Sequence, residues 1–272
     1  MAGLPDEIAN RSWRAERALP MADALDALLT HLESEEDPST RVVRARRPSA
    51  PDPELPLSTG ILEVDRALGG GLPQRRLTLL EADLPAQAHA LLWSIARTIA
   101  HPTVLDVDSP LGAVAWIWAG GAGVPAISMT QRRMTSAEWE RATGTIGELA
   151  NRVVSVGSAE SVHGLAAMVA TQRVRVVLVQ DIERFGDAPD VVQALAGLAV
   201  SAQLSIMATS GAGRGASGDA PGEAKELRRR DVHLVQVLSS DFGGTARMVR
   251  TDHIDMLAVN DVRMDLLTGR VG

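Results

Sequence analysis

The chain contains no cysteine and no tyrosine, only two phenylalanines, and very little lysine. Without cysteine there can be no disulfide, no thiol nucleophile and no cysteine-ligated zinc site. Aromatic residues make up 3% of the 272 residues, so Leu, Val, Ile, Ala and Met must fill the core that a hydrophobic content of 45% supports. No apolar run reaches the length of a membrane span, and the N-terminal stretch MAGLPDEIANRSWRAER has no apolar segment of the secretory kind. These absences fit a cytoplasmic protein with no membrane partner. The six histidines show no H-x-x-x-H or related spacing, so no metal site is expected. No G-x-S-x-G nucleophile elbow occurs. Net charge is −7, so bulk electrostatics do not attract nucleic acid and any such surface has to be local.

What is present is an alternation of strand-like and helix-like segments. Its centre is Leu77 to Ala100. Leu77–Leu80 is a strand-length apolar run, and Ala86–Ala100 is rich in Ala, Leu, Ile and Trp without Pro or Gly, as in a helix. A strand feeding a helix through a short loop is where many proteins seat a nucleotide phosphate. That seat requires G-x-x-x-x-G-K-[ST], and the matching residues run from Ala82 through Asp83, Gln87 and Ala88 to His89. Both glycines are missing, Ala88 replaces the lysine, and His89 replaces the hydroxyl that holds magnesium. The glycines let backbone N–H groups wrap the phosphates, the lysine neutralises them, and the hydroxyl binds the metal. No nucleotide or other cofactor is therefore expected. An ordinary strand–loop–helix is the alternative reading of this stretch alone.

Before it, Pro20 is expected to open a helix with a leucine stripe at Leu25, Leu28, Leu29 and Leu32. Residues 35–57 hold five prolines and mixed charge and read as a tether. The stripe either folds back on its own domain or docks on a second copy or a partner. Residues 1–57 thus form a tail, linker helix and tether, and 58–272 the main domain. Ile61, Val64 and Leu68 share one face of a short helix that the glycines at 69–71 end. Further strands are expected at Thr103–Val107, Val153–Val156, Val174–Val179 and Leu204–Ala208, the third a buried parallel run. Helices are expected at Gly112–Ala119, broken by GGAGVP, at Thr135–Ala150 with the capping box Thr135-x-x-Glu138, at Ser161–Gln172 and at Pro189–Ala202. Trp116 and Trp118 are two residues apart and cannot share a helix face, so one is expected at the surface. Residues 211–226 hold five glycines and read as a long loop. Val232–Leu238, Ala246–Arg250 and Val262–Leu267 are strands with no helix between them, expected to extend the sheet in antiparallel fashion. The sum is an α/β domain with a mostly parallel sheet flanked by helices.

Residues 19–272 together resemble the C-terminal motor domain of DnaB-type replicative DNA helicases, within the RecA-like fold. STGILEVDRALGGGLPQRRLTLLEA resembles the segment entering that family's phosphate loop. Arg132–Trp139 with Gly144–Gly147 resembles its mid-domain helix, VRVVLVQDIERF its Walker B strand, and SIMATSGAGR the strand and loop that follow. The leucine helix resembles the linker helix that packs on an adjacent subunit. The resemblance places a catalytic glutamate at Pro110, the Walker B aspartate at Gln180 with Asp181 one residue late, and a sensor glutamine at Gly211. The C-terminal Lys-x-Arg pair becomes Arg250-Thr251-Asp252. Phosphoryl transfer depends on positioning and electrostatic stabilisation by these groups, so the resemblance implies a pseudo-ATPase. The expected role is a non-enzymatic replication or repair accessory. Its expected partners are single-stranded DNA, through Arg214, Lys225, Arg228, Arg229 and Arg230, a replicative helicase or other replisome protein, or a second copy. The competing expectation is an ATP-dependent helicase or ATPase with a divergent site, using Asp181 and Asp108 for magnesium and His89, Arg75 and Arg76 for phosphate. A third is a scaffold that keeps the fold only as structure.

Overall fold

The computed structural model describes residues 19–20, 23, 55–82, 85–131, 133–149, 153–211, 232–239, 245–250, 259–265 and 270–271. The leucine stripe at Leu25–Leu32 and the cations Arg214, Lys225 and Arg228–Arg230 lie outside them.

In chain order the described elements are β1 (Leu19–Pro20), α1 (Leu62–Leu68), β2 (Leu77–Ala82), α2 (Pro85–Thr98), β3 (Thr103–Asp106), α3 (Pro110–Ala122), α4 (Ala126–Thr130), α5 (Ser136–Leu149), β4 (Val153–Gly157), α6 (Val162–Ala170), β5 (Val176–Val179), a 3-10 turn (Ile182–Phe185), α7 (Ala188–Ser201), β6 (Ser205–Gly211), β7 (Val232–Ser239), β8 (Thr245–Arg250), β9 (Val259–Asp265) and β10 (Arg270–Val271). One sheet takes the order β1-β4-β3-β5-β6-β2-β7-β8-β9-β10. The six strands from β4 to β7 are parallel, and β8 to β10 continue it antiparallel.

Side-chain alternation explains why this sheet is buried on both faces. Leu77, Leu79, Val177, Val179, Ile206 and Ala208 pack beneath α6 and α7. Leu80, Ala82, Leu105, Leu178 and Met207 point the other way, into a core built with α1, α2, α3, α4 and α5. The Ser58-Thr59-Gly60 segment is fastened before α1. Asp65 accepts from the Thr59 amide at 2.8 Å and from the Thr59 and Ser58 hydroxyls at 2.6 Å each. Gly60 has φ +81°, and a Cβ there would meet the Thr98 carbonyl oxygen at 2.6 Å, so only glycine fits beside the end of α2.

Several expectations change. Val232–Ser239 pairs parallel to β2, so the antiparallel extension begins one strand later, at β8. Helix α3 runs through Gly120 and Gly121 and ends at Gly123, whose φ is +66°. Packing of α3 against its neighbours overrides the weak helix propensity of the two glycines. Leu19–Pro20 forms a strand on the edge of β4, not a loose tail followed directly by a helix opening at Pro20. Trp118 is fully buried, with its indole N–H donating to the Ala142 carbonyl, and Trp116 is half-buried against Trp93, so neither indole is a free surface group. The capping box is present: the Glu138 carboxylate accepts from the Thr135 amide at 2.7 Å and the Thr135 hydroxyl accepts from the Glu138 amide at 3.3 Å.

Candidate functional site

The carboxyl ends of parallel strands are where open α/β sheets bind ligands. Here they gather Ala82 from β2, Asp106 from β3, Gln180 and Asp181 just past β5, and Thr209 from β6. Helix α2 delivers Gln87, Ala88 and His89 to the same end.

The junction of β2 and α2 is short. Only Asp83 and Leu84 lie between the end of β2 and the start of α2, whereas a phosphate loop spans the strand and helix with eight residues. The helix begins at Pro85, which has no N–H to offer. Gln87 and Ala88 are buried at 2% and 1% exposure inside the first turns, and the Gln87 side-chain oxygen has no hydrogen-bond partner among the described residues.

His89 and Asp181 meet across this end of the sheet. The imidazole Nε2 lies 2.8 Å from Asp181 Oδ1. An ionised carboxylate only accepts, so Nε2 carries the hydrogen. Strand β5 ends at Val179 and Asp181 takes φ +53°, a left-handed conformation that costs a non-glycine residue roughly 1–2 kcal/mol. That turn reverses the direction an extended Asp181 would have pointed, which carries the carboxylate toward α2. Thr209 fixes it: its hydroxyl accepts from the Asp181 amide at 2.8 Å and lies 3.4 Å from Oδ1. Gln180 donates weakly to Oδ2 at 3.4 Å. Burial alone would raise the Asp181 pKa, but the hydrogen bonds from His89, Gln180 and Thr209 and the charge interaction with His89 outweigh it and hold the carboxyl below its usual range. The His89 ring packs 5.9 Å from Trp93, which lies 5.6 Å from Trp116. An aspartate-oriented imidazole is one half of a general-base arrangement. Among the described residues no side chain hydrogen-bonds to its other nitrogen.

A second pair closes the neighbouring strand ends. Arg184, in the turn after β5, forms an ion pair with the fully buried Asp106 at the end of β3. The other Asp106 oxygen accepts from the Ala159 amide at 2.7 Å, which ties in the segment after β4. Burial pulls the Arg184 guanidinium down to about 10. Pro110, at the expected glutamate position, is the first residue of α3 and is buried, and Asp108 is exposed.

The sequence brought His89 and Asp181 to notice separately, and the fold joins them. It separates Arg75 and Arg76 from them. Both precede β2, and a six-residue strand puts them about 20 Å from Ala82. Sequence reasoning missed Asp106, Arg184 and Thr209. The one available signal was the run Asp181-Ile182-Glu183-Arg184, a charged stretch directly after a fully buried strand.

No family model matches this sequence, and no curated protein does. Solved structures do. A DnaB-like helicase ATPase domain superposes with a TM-score of 0.65 at 12% identity, over 92% of this chain and 97% of that one. A DnaB-like replicative helicase, solved for its interactions with primase, superposes with a TM-score of 0.66 at 14% identity, over 90% of this chain and 67% of that one. The chain has the RecA-like α/β fold of DnaB-like helicase ATPase domains. No helix among the described residues is long and apolar enough to cross a membrane.

Proposed function

We propose that this RecA-like chain is a catalytically inactive helicase-like protein, a cytoplasmic accessory of DNA replication or repair that works by binding. The observation that carries this reading is the His89–Asp181 hydrogen bond at 2.8 Å. The imidazole sits where a phosphate loop has its magnesium hydroxyl, and it engages the carboxylate nearest the metal position. An internal contact takes the place that a metal and phosphate would need. The two-residue junction before α2, Ala88 at the lysine position and Pro110 at the glutamate position support the same reading.

The partners in this reading are single-stranded DNA, contacted by Arg214, Lys225 and Arg228–Arg230, and a replicative helicase or other replisome protein reached through Leu25, Leu28, Leu29 and Leu32. A second copy of the chain is the alternative occupant of that stripe. The similar DnaB-like helicase was solved for its interactions with primase, which makes a replisome protein the first partner to test. Residues 1–57 serve as tail, helix and tether, and 58–272 as the binding domain.

The test is a thermal melt with millimolar Mg-ATP. A ligand present at 100 times its dissociation constant adds about 2.7 kcal/mol to the folded state, so the inactive reading expects an unmoved midpoint and no phosphate release. A second reading, an ATPase with a divergent site, draws on one observation: β5 ends early enough for Asp181 to face α2. It expects the midpoint to rise, and the rise to vanish in Asp181→Asn.

A further inference from the structure

The expected phosphate ligands Arg75 and Arg76 sit at the wrong end of β2 for a nucleotide, and that end has its own character. Arg75 and Arg76 precede β2, and Arg173 and Arg175 precede β5. Both strands are parallel to β6, which lies between them, so all four arginines leave the same end of the sheet. Two strand spacings separate the loops by about 10 Å.

The loops are fastened to each other. The Arg175 guanidinium Nη2 donates to Gln74 Oε1 at 2.9 Å. The Ile206 amide donates to the Arg76 carbonyl and the Ser205 amide to the Arg175 carbonyl, each at 3.0 Å. Arg75, Arg76 and Arg173 are exposed, and among the described residues none of the three pairs with a carboxylate. His101, just before β3, senses the local field: burial and then the charge of Arg175 push its imidazole below the usual value.

We propose that this amino-terminal end of the sheet is a phosphate-binding face for single-stranded nucleic acid. A chain with net charge −7 does not draw nucleic acid as a whole, but clustered cations on fixed loops create a local attraction. A nucleic-acid backbone carries a charge every few ångströms, so it meets several of these arginines at once. No Trp or Phe stands among them in the sequence, so bases have no stacking platform there and the contact is to phosphate, independent of base sequence. An acidic protein segment fits less well, because protein interfaces draw their affinity from buried aromatic and arginine anchors in desolvated pockets, and these arginines stand on exposed loops. The face is independent of the inactive-site reading and uses none of the cations assigned there.

The experiment titrates the full chain into a fluorescently labelled oligo-dT 20-mer, followed by anisotropy at several salt concentrations. The expected result is binding that weakens linearly in log–log form with salt. Arg75→Ala, Arg76→Ala and Arg173→Ala together should weaken it at least tenfold at low salt. They should also flatten the salt slope by about 2, at roughly 0.7 per lost phosphate contact on a single strand. The same three positions changed to Lys should keep binding within a few-fold, which separates lost charge from lost fold. Failure to bind at low salt overturns the proposal. Full binding by the triple Ala variant, with loss only on replacing Arg228–Arg230, also overturns it and leaves the earlier DNA reading standing. Displacement of the oligonucleotide by poly-glutamate as readily as by unlabelled oligo-dT overturns it in favour of an acidic protein partner.

Discussion

The two ends of the parallel sheet are built on opposite terms. At the carboxyl end, charged side chains are spent on each other: His89 on Asp181, and Arg184 on Asp106. At the amino end, Arg75, Arg76 and Arg173 are exposed and without a carboxylate partner among the described residues. In a nucleotide-binding RecA-like domain the carboxyl end stays open to a ligand that ties the strand ends together. Here hydrogen bonds and ion pairs tie β3, β4, β5 and α2 with no ligand needed. The difference teaches where to look for each property. Fold stability is concentrated at the carboxyl end, and charge available for binding at the amino end.

The largest effect should come from breaking the buried pair. Asp106→Ala strands Arg184 in the interior and also removes the acceptor for the Ala159 amide. Breaking one partner of a buried ion pair costs roughly 3–5 kcal/mol. Urea denaturation should show that loss as a fall in the midpoint at unchanged slope.

His89→Ala should cost less, about 1 kcal/mol, because its pair with Asp181 is partly exposed to solvent. The pair also has a pH signature. The Asp181 carboxyl is held below its usual range in the folded protein, so its ionised form favours folding. That contribution is full above the unfolded carboxylate pKa, about 3.9, and is lost as pH falls through the lower folded value. The stability gap between the natural chain and Asp181→Asn should therefore be flat from neutral pH down to about pH 4 and narrow below it. A gap that widens in acid would reverse the assigned direction. Smallest of all, Arg75→Ala, Arg76→Ala and Arg173→Ala should each move stability by less than about 0.5 kcal/mol, as exposed substitutions do. A large loss on any of them would erase the contrast between the ends.

Much of the fold was legible because its signals are local. The Thr135/Glu138 capping box, the buried run before Gln180 and the glycines after Leu68 each declare an element within a few residues. Pairing partners are not local, so nothing in Val232–Ser239 told that it joins β2 in parallel. The tolerance of Gly120 and Gly121 inside α3 likewise depends on helices distant in sequence. The site was half legible. The replacements at Ala88, His89 and Pro110 could be read against the phosphate-loop chemistry, and Asp181 was visible as one residue displaced. Its role depended on where β5 ends and on a left-handed φ, and neither is written in the local residues. Asp106 and Arg184 sit on different strands, and only the sheet order brings them together.

The measurement that bears most directly on the central claim is a calorimetric titration of the full chain with Mg-ATP at millimolar ligand. The account predicts no saturable heat, in the natural chain and in His89→Ala alike. A saturable isotherm in the natural chain, lost in Asp181→Asn, would contradict it and would make the carboxyl end a working nucleotide site.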